Sequence, residues 1–267
     1  MSHLGIYSWF GFRLPLEQRL CLIRDAGFTA TCFWFGHEEE LVSEGRADEI
    51  PELVRSHELW LDNVHAPFYN MYRIWSDNSE LRNEVSKELG FALEYCGEHH
   101  IPIMVMHPEG GRYSFPPNET GLMVLRNLVH LAESVHVTIA LENVKHPEYI
   151  DYALASIDSP NLGFCYDSSH DYLSGGTKGH ILEKWGYRLV TTHLSDNLGV
   201  NDDHFIPGKG SIDWTNITSR LSHLAYNGVL MLEIDGPESQ VGFTPRGLLS
   251  AGYEQLRYLQ SLLNYVA

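Results

Sequence analysis

Six successive apolar runs in this chain end in, or are followed within a few residues by, side chains that ligate metal ions. His65 closes NVHAP and His107 closes MVMHPEGG, Glu142 lies in ALENV, and Asp167 and His170 lie in CYDSSHDYL. His193 ends TTH, with Asp202 and His204 in the loop beyond it, and Glu233 sits in LMLEIDG. A single histidine after a strand is most often structural, but six runs ending alike need a shared cause. A parallel barrel supplies one, because it delivers the C-terminal end of every strand to one face.

The wider pattern points the same way. Strand-like runs cover 4–10, 28–35, 59–65, 101–107, 137–143, 162–167, 189–194 and 228–234. Several, such as IPIMVMH and GVLMLEI, are continuously apolar, as expected of strands covered on both faces. Between them, 15–26, 79–99, 119–135, 214–226 and 246–266 carry apolar residues at helical spacing. Pro15 suits a first helical turn, Gly27 a stop, Asp213 an N-cap and Gly228 the exit from the helix that Asp213 opens. Eight alternations with no Pro/Gly/Ser-rich linker predict an α/β fold, a (β/α)8 barrel occupying residues 1–267 as a single domain. An open doubly wound sheet is the alternative, but it usually carries a glycine-rich first turn, and GFRLP is not one.

Bulk properties narrow the partners. Acidic residues outnumber basic ones 35 to 18, a formal charge of −17, which weighs against a nucleic-acid substrate and for a small polar molecule. No apolar run is long enough for a membrane span, and no N-terminal stretch has signal-peptide character, so a cytoplasmic location is expected. Cys21, Cys32, Cys96 and Cys165 show no paired spacing and are expected to be reduced, inert thiols.

Glu142, Asp167, His193 and Glu233 come one each from four consecutive strands. Three carboxylates and an imidazole make an oxygen-rich set that suits one divalent metal: Mn, Mg or Co, with Zn also accommodated. Such a metal would act as a Lewis acid, stabilising an enediolate after a C–H proton is removed. Glu142 and Glu233 stand at the two ends of the arc, placed to remove and return that proton. His170 is suited to a substrate oxygen, whereas His65, His107, Asp202 and His204 are open between metal ligand, substrate contact and supporting role. Trp9, Phe10, Trp34, Phe35, Phe68, Tyr69, Tyr72 and Trp75 crowd the early strand ends, where aromatic faces can pack on the C–H face of a small substrate and exclude water. Trp34 and Phe35 are adjacent, so at most one faces the interior. Lys209 is the most obvious cation in the loop after the seventh strand, and LEIDGPES offers no glycine-rich phosphate cradle, so an unphosphorylated substrate is favoured over a phosphorylated one.

ALENV, CYDSSH, THLSDN, DDHFIPGKGSIDW and LEIDG together resemble the xylose-isomerase-like TIM-barrel superfamily. That superfamily holds sugar isomerases and epimerases, inosose dehydratases and the endonuclease IV group (AP endonuclease family 2). The resemblance to the sugar isomerase and epimerase branch implies that Glu142, Asp167, His193 and Glu233 bind one metal. It further implies that the two glutamates form the acid–base pair and that His170 touches substrate. His204 stands where many of those enzymes have an arginine. The nuclease branch implies instead three zinc ions on all nine residues and metal-assisted phosphodiester hydrolysis. HPEGG departs from that branch's HPG pattern, and no basic DNA-facing stretch is evident. The reading favoured by charge and loop wording is a metal-dependent isomerase or epimerase acting in carbohydrate metabolism, with a free ketose, aldose or polyol favoured over a sugar phosphate as its substrate. A dehydratase, the trinuclear-zinc phosphodiesterase and a non-catalytic sugar- or metal-binding barrel are the alternatives, and dimers or tetramers are usual in barrels of this kind.

Overall fold

The structure, a computed structural model, describes residues 3–36, 39–110, 115–174, 176–236 and 242–265. Gly111 of HPEGG, residues 237–239 of LEIDGPES and Val266 of the last expected helix lie outside them. Eight strands appear: β1 (Leu4–Tyr7), β2 (Ala30–Trp34), β3 (Trp60–His65), β4 (Ile103–Met106), β5 (Thr138–Glu142), β6 (Leu162–Asp167), β7 (Leu189–His193) and β8 (Leu230–Leu232). All pair in parallel, in the order β7-β6-β5-β4-β3-β2-β1-β8.

The join between β7 and β8 differs from the others. It forms just past the end of β7, where Leu194 N–H donates to Met231 O at 2.8 Å and Glu233 N–H donates to Leu194 O at 3.1 Å. Below that point the Thr192 hydroxyl replaces a ladder partner, donating to Val229 O and accepting from Met231 N–H. The result is the (β/α)8 TIM barrel that the alternating runs predict.

Among the described residues ten helices surround the sheet. They are α1 (Leu16–Asp25), α2 (Glu40–Ser43), α3 (Ile50–Ser56), α4 (Ser79–Glu98), α5 (Glu119–Val135), α6 (Glu148–Ser156), α7 (Ser168–Leu173), α8 (His180–Trp185), α9 (Trp214–His223) and α10 (Pro245–Tyr265). Three of the longer ones, α4, α5 and α9, begin where short polar side chains can satisfy their free N–H groups. Asn78 accepts from Glu80 N, Asn118 from Gly121 N and Asp213 from Asn216 N. Gly27 ends α1 at φ +104°, where a Cβ would stand 2.8 Å from the Tyr253 ring. Gly228 does not end α9 as expected: the helix stops at His223, and Ala225 takes the left-handed turn at φ +50°.

The main apolar core lies between sheet and helices. Inside the barrel sit two smaller clusters built on Tyr7, Ala30, Cys32, Val229 and Met231, and on Ile103, Val105, Ala140 and Cys165. Cys32, Cys96 and Cys165 are buried, and all four cysteines are unpaired. The small interior side chains pack the barrel's middle and leave its C-terminal mouth to polar residues. No described helix is long and apolar enough to cross a membrane.

Candidate metal centre

The nine ligand-type residues meet at that mouth. A bowl of about 300 Å³ is lined by His65, His107, Glu142, His170, Asp202, His204 and Glu233, together with aromatic side chains. Asp167 and His193 lie at its floor, with no solvent exposure.

Glu142 is the hub. Its Oε2 lies 3.1 Å from His193 Nδ1, 3.2 Å from His65 Nε2 and 3.5 Å from His107 Nε2, while Oε1 lies 3.1 Å from His170 Nδ1. Glu233 Oε2 approaches His193 Nδ1 from its own side, also at 3.1 Å. His170 turns its other nitrogen, Nε2, to Asp202 Oδ2 at 3.1 Å, and His204 Nε2 reaches the same oxygen at 3.1 Å. The loop after β7 therefore carries Asp202 and His204 back over the bowl.

Two of the imidazoles have their tautomers set by backbone carbonyls, which can only accept. His65 Nδ1–H donates to Ala66 O at 2.7 Å and His204 Nδ1–H donates to Glu233 O at 3.0 Å, leaving each Nε2 facing the bowl. His204 holds φ at +48°, clamped further by Asp235 N–H donating to its carbonyl at 3.0 Å. Backbone strain of this kind clusters where side-chain direction matters to function.

Supporting residues fix the rest. Asn143 grips Asp167 at both ends: its amide donates to Asp167 O at 2.8 Å and its oxygen accepts from Asp167 N–H at 2.8 Å. Ser169 donates to Asp202 Oδ1 at 2.5 Å and accepts from Asn197 Nδ2 at 2.8 Å. Asp196 organises the whole loop after β7, accepting from Asn197 N, Gly208 N, Ile212 N and the Trp214 indole. Sequence reasoning quoted Asp196 and Asn143 only as parts of motifs. A polar residue directly after a ligand was the available signal for Asn143, and one three residues beyond His193 for Asp196.

A cation fits this set. Asp167 Oδ2 is buried without a hydrogen-bond partner, and Glu233 Oε2 and His193 Nδ1, though 3.1 Å apart, do not meet in hydrogen-bonding geometry. With Glu142 they bring four ligand atoms within 4.8 Å of one another, and His65, His107 and Glu142 form a second such group. Orphaned buried polar atoms are costly unless something else binds them.

Electrostatics agree. Burial would raise the Glu142 carboxyl, but the His193 and His107 imidazoles beside it hold it well below the ordinary range. Asp167 is instead pushed up to about 8 by burial, against His170 and with the neighbouring carboxylates of Glu142, Asp202 and Glu233. Burial disfavours the charged forms of His170 and His193, yet the surrounding acidic groups raise both well above the usual imidazole range. His204 is raised to about 10, chiefly by Asp202 and against the effect of burial. The site thus holds protons where a metal ion could stand.

The aromatic expectations divide. Trp9, Trp34 and Phe68 line the bowl, with Trp34 stacked on Phe68 at 5.1 Å. Phe35 points outward against Tyr95 and Phe91, so of the adjacent pair it is Trp34 that faces in. Phe10 and Trp75 are core, Tyr72 stacks on Phe115, and Tyr69 is exposed beside Phe68. Tyr7, which sequence reasoning missed, lines the bowl edge-on to His193. Lys209 is exposed and is not among the lining residues; no described Lys or Arg lines the bowl.

Comparison with known proteins gives these features a context. The chain is 27% identical over 185 residues to an uncharacterized protein of Methanocaldococcus jannaschii, 64% of this chain and 63% of that protein, so it matches under two thirds of that relative's length. It is 22% identical over 246 residues to fructoselysine 3-epimerase of Escherichia coli O157:H7, covering 86% of this chain and 89% of the relative. A solved L-ribulose 3-epimerase superposes with TM-score 0.84 at 15% identity, over 99% of this chain and 96% of that one, a likeness of fold. Relatives and structural neighbours thus include sugar epimerases and isomerases. Residues 20–259 match the family described as xylose isomerase-like TIM barrel, and the chain belongs to that family.

Proposed function

We propose that this protein is a divalent-metal-dependent isomerase or epimerase of a small carbohydrate or polyol. The observation that carries the reading is the placement of Glu142 and Glu233 on either side of His193 Nδ1, each at 3.1 Å, beside the buried, unpartnered oxygen of Asp167. These four residues would hold the cation, which when bound supplies Lewis-acid stabilisation of negative charge on substrate oxygens.

The chain's own groups do the rest. Trp9, Trp34 and Phe68 give the substrate an apolar wall that excludes water. One glutamate takes the proton from a carbon next to a carbonyl and the other returns it, which changes configuration or moves the carbonyl. His170, whose Nδ1 faces Glu142 and whose Nε2 faces Asp202, would hydrogen-bond a substrate hydroxyl by exchanging its Asp202 contact for it. A bowl lined by no described Lys or Arg suits a neutral sugar better than a sugar phosphate. The test is solvent deuterium entering one carbon of a ketose or polyol, followed by NMR across a substrate panel with and without added metal. No exchange into any member, with metal present, would sink the reading.

One observation favours a second reading. Two groups that could each hold an ion share Glu142, one with His65 and His107 and one with Asp167, His193 and Glu233, and His170 and His204 both meet Asp202 beside them. If that last trio closed on an ion as well, the nine side chains would hold three metals, suited to phosphodiester hydrolysis by metal-activated water. Elemental analysis separates the two: about one metal per chain supports the isomerase, and about three zinc ions would make abasic DNA the first substrate to try.

A further inference from the structure

We propose that a second cavity beside the bowl is a distal substrate subsite, and that the substrate is a ketose joined to a second, neutral sugar ring. The inference rests on the carbohydrate reading of the bowl and names its substrate class.

The outer cavity measures about 670 Å³, more than twice the inner bowl, and is lined by Trp9, Arg13, Leu14, Pro15, Trp34 and Glu40 over a floor of Arg19 and Glu39. Trp9 and Trp34 line both spaces, so a molecule seated in the bowl meets the outer cavity by crossing two indoles. The inner space suits one sugar unit; the outer one is large enough for another.

The indole ridge is held in place. Trp34 stacks on Phe68 at 5.1 Å with planes 22° apart. Trp9 is 42% exposed yet lies over the Arg19 guanidinium, 5.7 Å from ring centre to Cζ. Arg19 is itself locked, donating to both Glu39 oxygens at 2.8 and 3.1 Å, to Ser8 O at 2.9 Å and to Leu14 O at 3.0 Å. An ion pair this deeply buried is costly to desolvate, and it closes no part of the barrel. What it does hold is the floor of the outer cavity and the underside of Trp9.

The lining chooses the occupant. Among the described residues that line it, Arg13 and Arg19 are balanced by Glu39 and Glu40, so they give the outer cavity no net charge to attract a phosphate or carboxylate. Arg13 and Glu40 are exposed at its rim, and neither side chain has a partner among the described residues. Flat aromatic faces with a free guanidinium and a free carboxylate match a pyranose ring: its C–H face packs on indole, and its hydroxyls donate to Glu40 and accept from Arg13.

The experiment is calorimetric titration of the purified, metal-containing protein with fructose, isomaltulose, turanose, lactulose and fructose 6-phosphate. Deuterium exchange into each is followed in parallel. At least one disaccharide is expected to bind about tenfold or more tighter than fructose, and Arg13→Ala and Glu40→Ala to bring that ratio toward one. Disaccharides no tighter than fructose, a ratio unmoved in both variants, or tightest binding by the phosphate would each overturn the subsite. Exchange into fructose without a disaccharide advantage defeats the subsite and leaves the isomerase standing. Tight disaccharide binding without exchange does the reverse, and no binding at all defeats both.

Discussion

Glu142 and His170 meet at 3.1 Å, Oε1 to Nδ1, so the oxygen that faces away from His193 is also engaged. On the proposed acid–base reading, a carboxylate with imidazoles on both oxygens would have two jobs, holding the site together and moving a proton, whereas the one ion-pair contact of Glu233 among the described residues is with His193. Glu142→Gln is therefore expected to strip metal and lower kcat together. Glu233→Gln should lower kcat by about 10²–10⁴-fold, the usual range for a lost acid–base group, with a smaller loss of metal. Metal content and turnover are measured on the same preparations; retained turnover in both variants would defeat the acid–base assignment.

Asp196 predicts an effect at a distance. Replacing it with Ala leaves Gly208 N, Ile212 N and the Trp214 indole without their acceptor. The cost should be about 2–5 kcal/mol, given about 1–3 kcal/mol for each buried donor left unmet and some relaxation. Because Asp202 and His204 ride on the same loop, cleavage by protease within residues 197–213 should appear before global unfolding. A Tm unchanged from the parent protein would show that the loop stands without Asp196.

The metal-free protein should have an unusual pH profile. Asp167 is raised from an ordinary 3.8 to about 8, so the stability from its proton is complete below the lower value and gone above the higher. His204, raised from 6.5 to about 10, extends the loss upward, and the raised His170 and His193 act in the same direction. Glu142, Glu233 and Asp202 are depressed and lose their stabilisation as acid protonates them. Without metal, the Tm should therefore peak on the acid side of neutrality and fall through pH 7 to 9, while divalent metal restores it most at the alkaline end. Calorimetry with and without chelator checks this; a stripped protein that gains stability through that interval would contradict it.

The Arg19–Glu39 pair is a stability element as well as a support. Glu39→Ala leaves a guanidinium buried without its carboxylate and should cost about 3–5 kcal/mol. Replacing both residues with apolar ones should recover most of that loss while leaving Trp9 without its cation beneath. Chemical denaturation of the single and double variants gives the comparison; a single variant as stable as the parent would show that the pair is not needed for folding.

Much of this was legible in the sequence for physical reasons. Buried parallel strands write themselves as apolar runs, and a barrel forces their ends to one rim, so His65, His107, Glu142, Asp167, His193 and Glu233 could be grouped before any coordinates. The short helices α2, α3, α6, α7 and α8 were not foreseen, because one or two turns give too few repeats for periodicity to show. Loop residues were harder still. Asp202 and His204 reach the bowl through hydrogen bonds centred on Asp196, and no spacing rule carries that information. Lys209, in the same loop, stays outside the bowl for the same reason. Tyr7 was missed because β1 ends in an aromatic and carries no ligand-type signal.

The eighth join of the barrel makes its backbone contacts at Leu194, one residue beyond His193, and the next backbone link runs through Glu233 itself. Every other ladder is zipped along its strands, and this one is buttoned at the top. A cation shared by His193 and Glu233 would rivet the cylinder across its weakest staves, so that filling the site and shutting the barrel become one event. Chelation should then release amide protons first at Leu194 and Glu233, and the protein would open along a single seam.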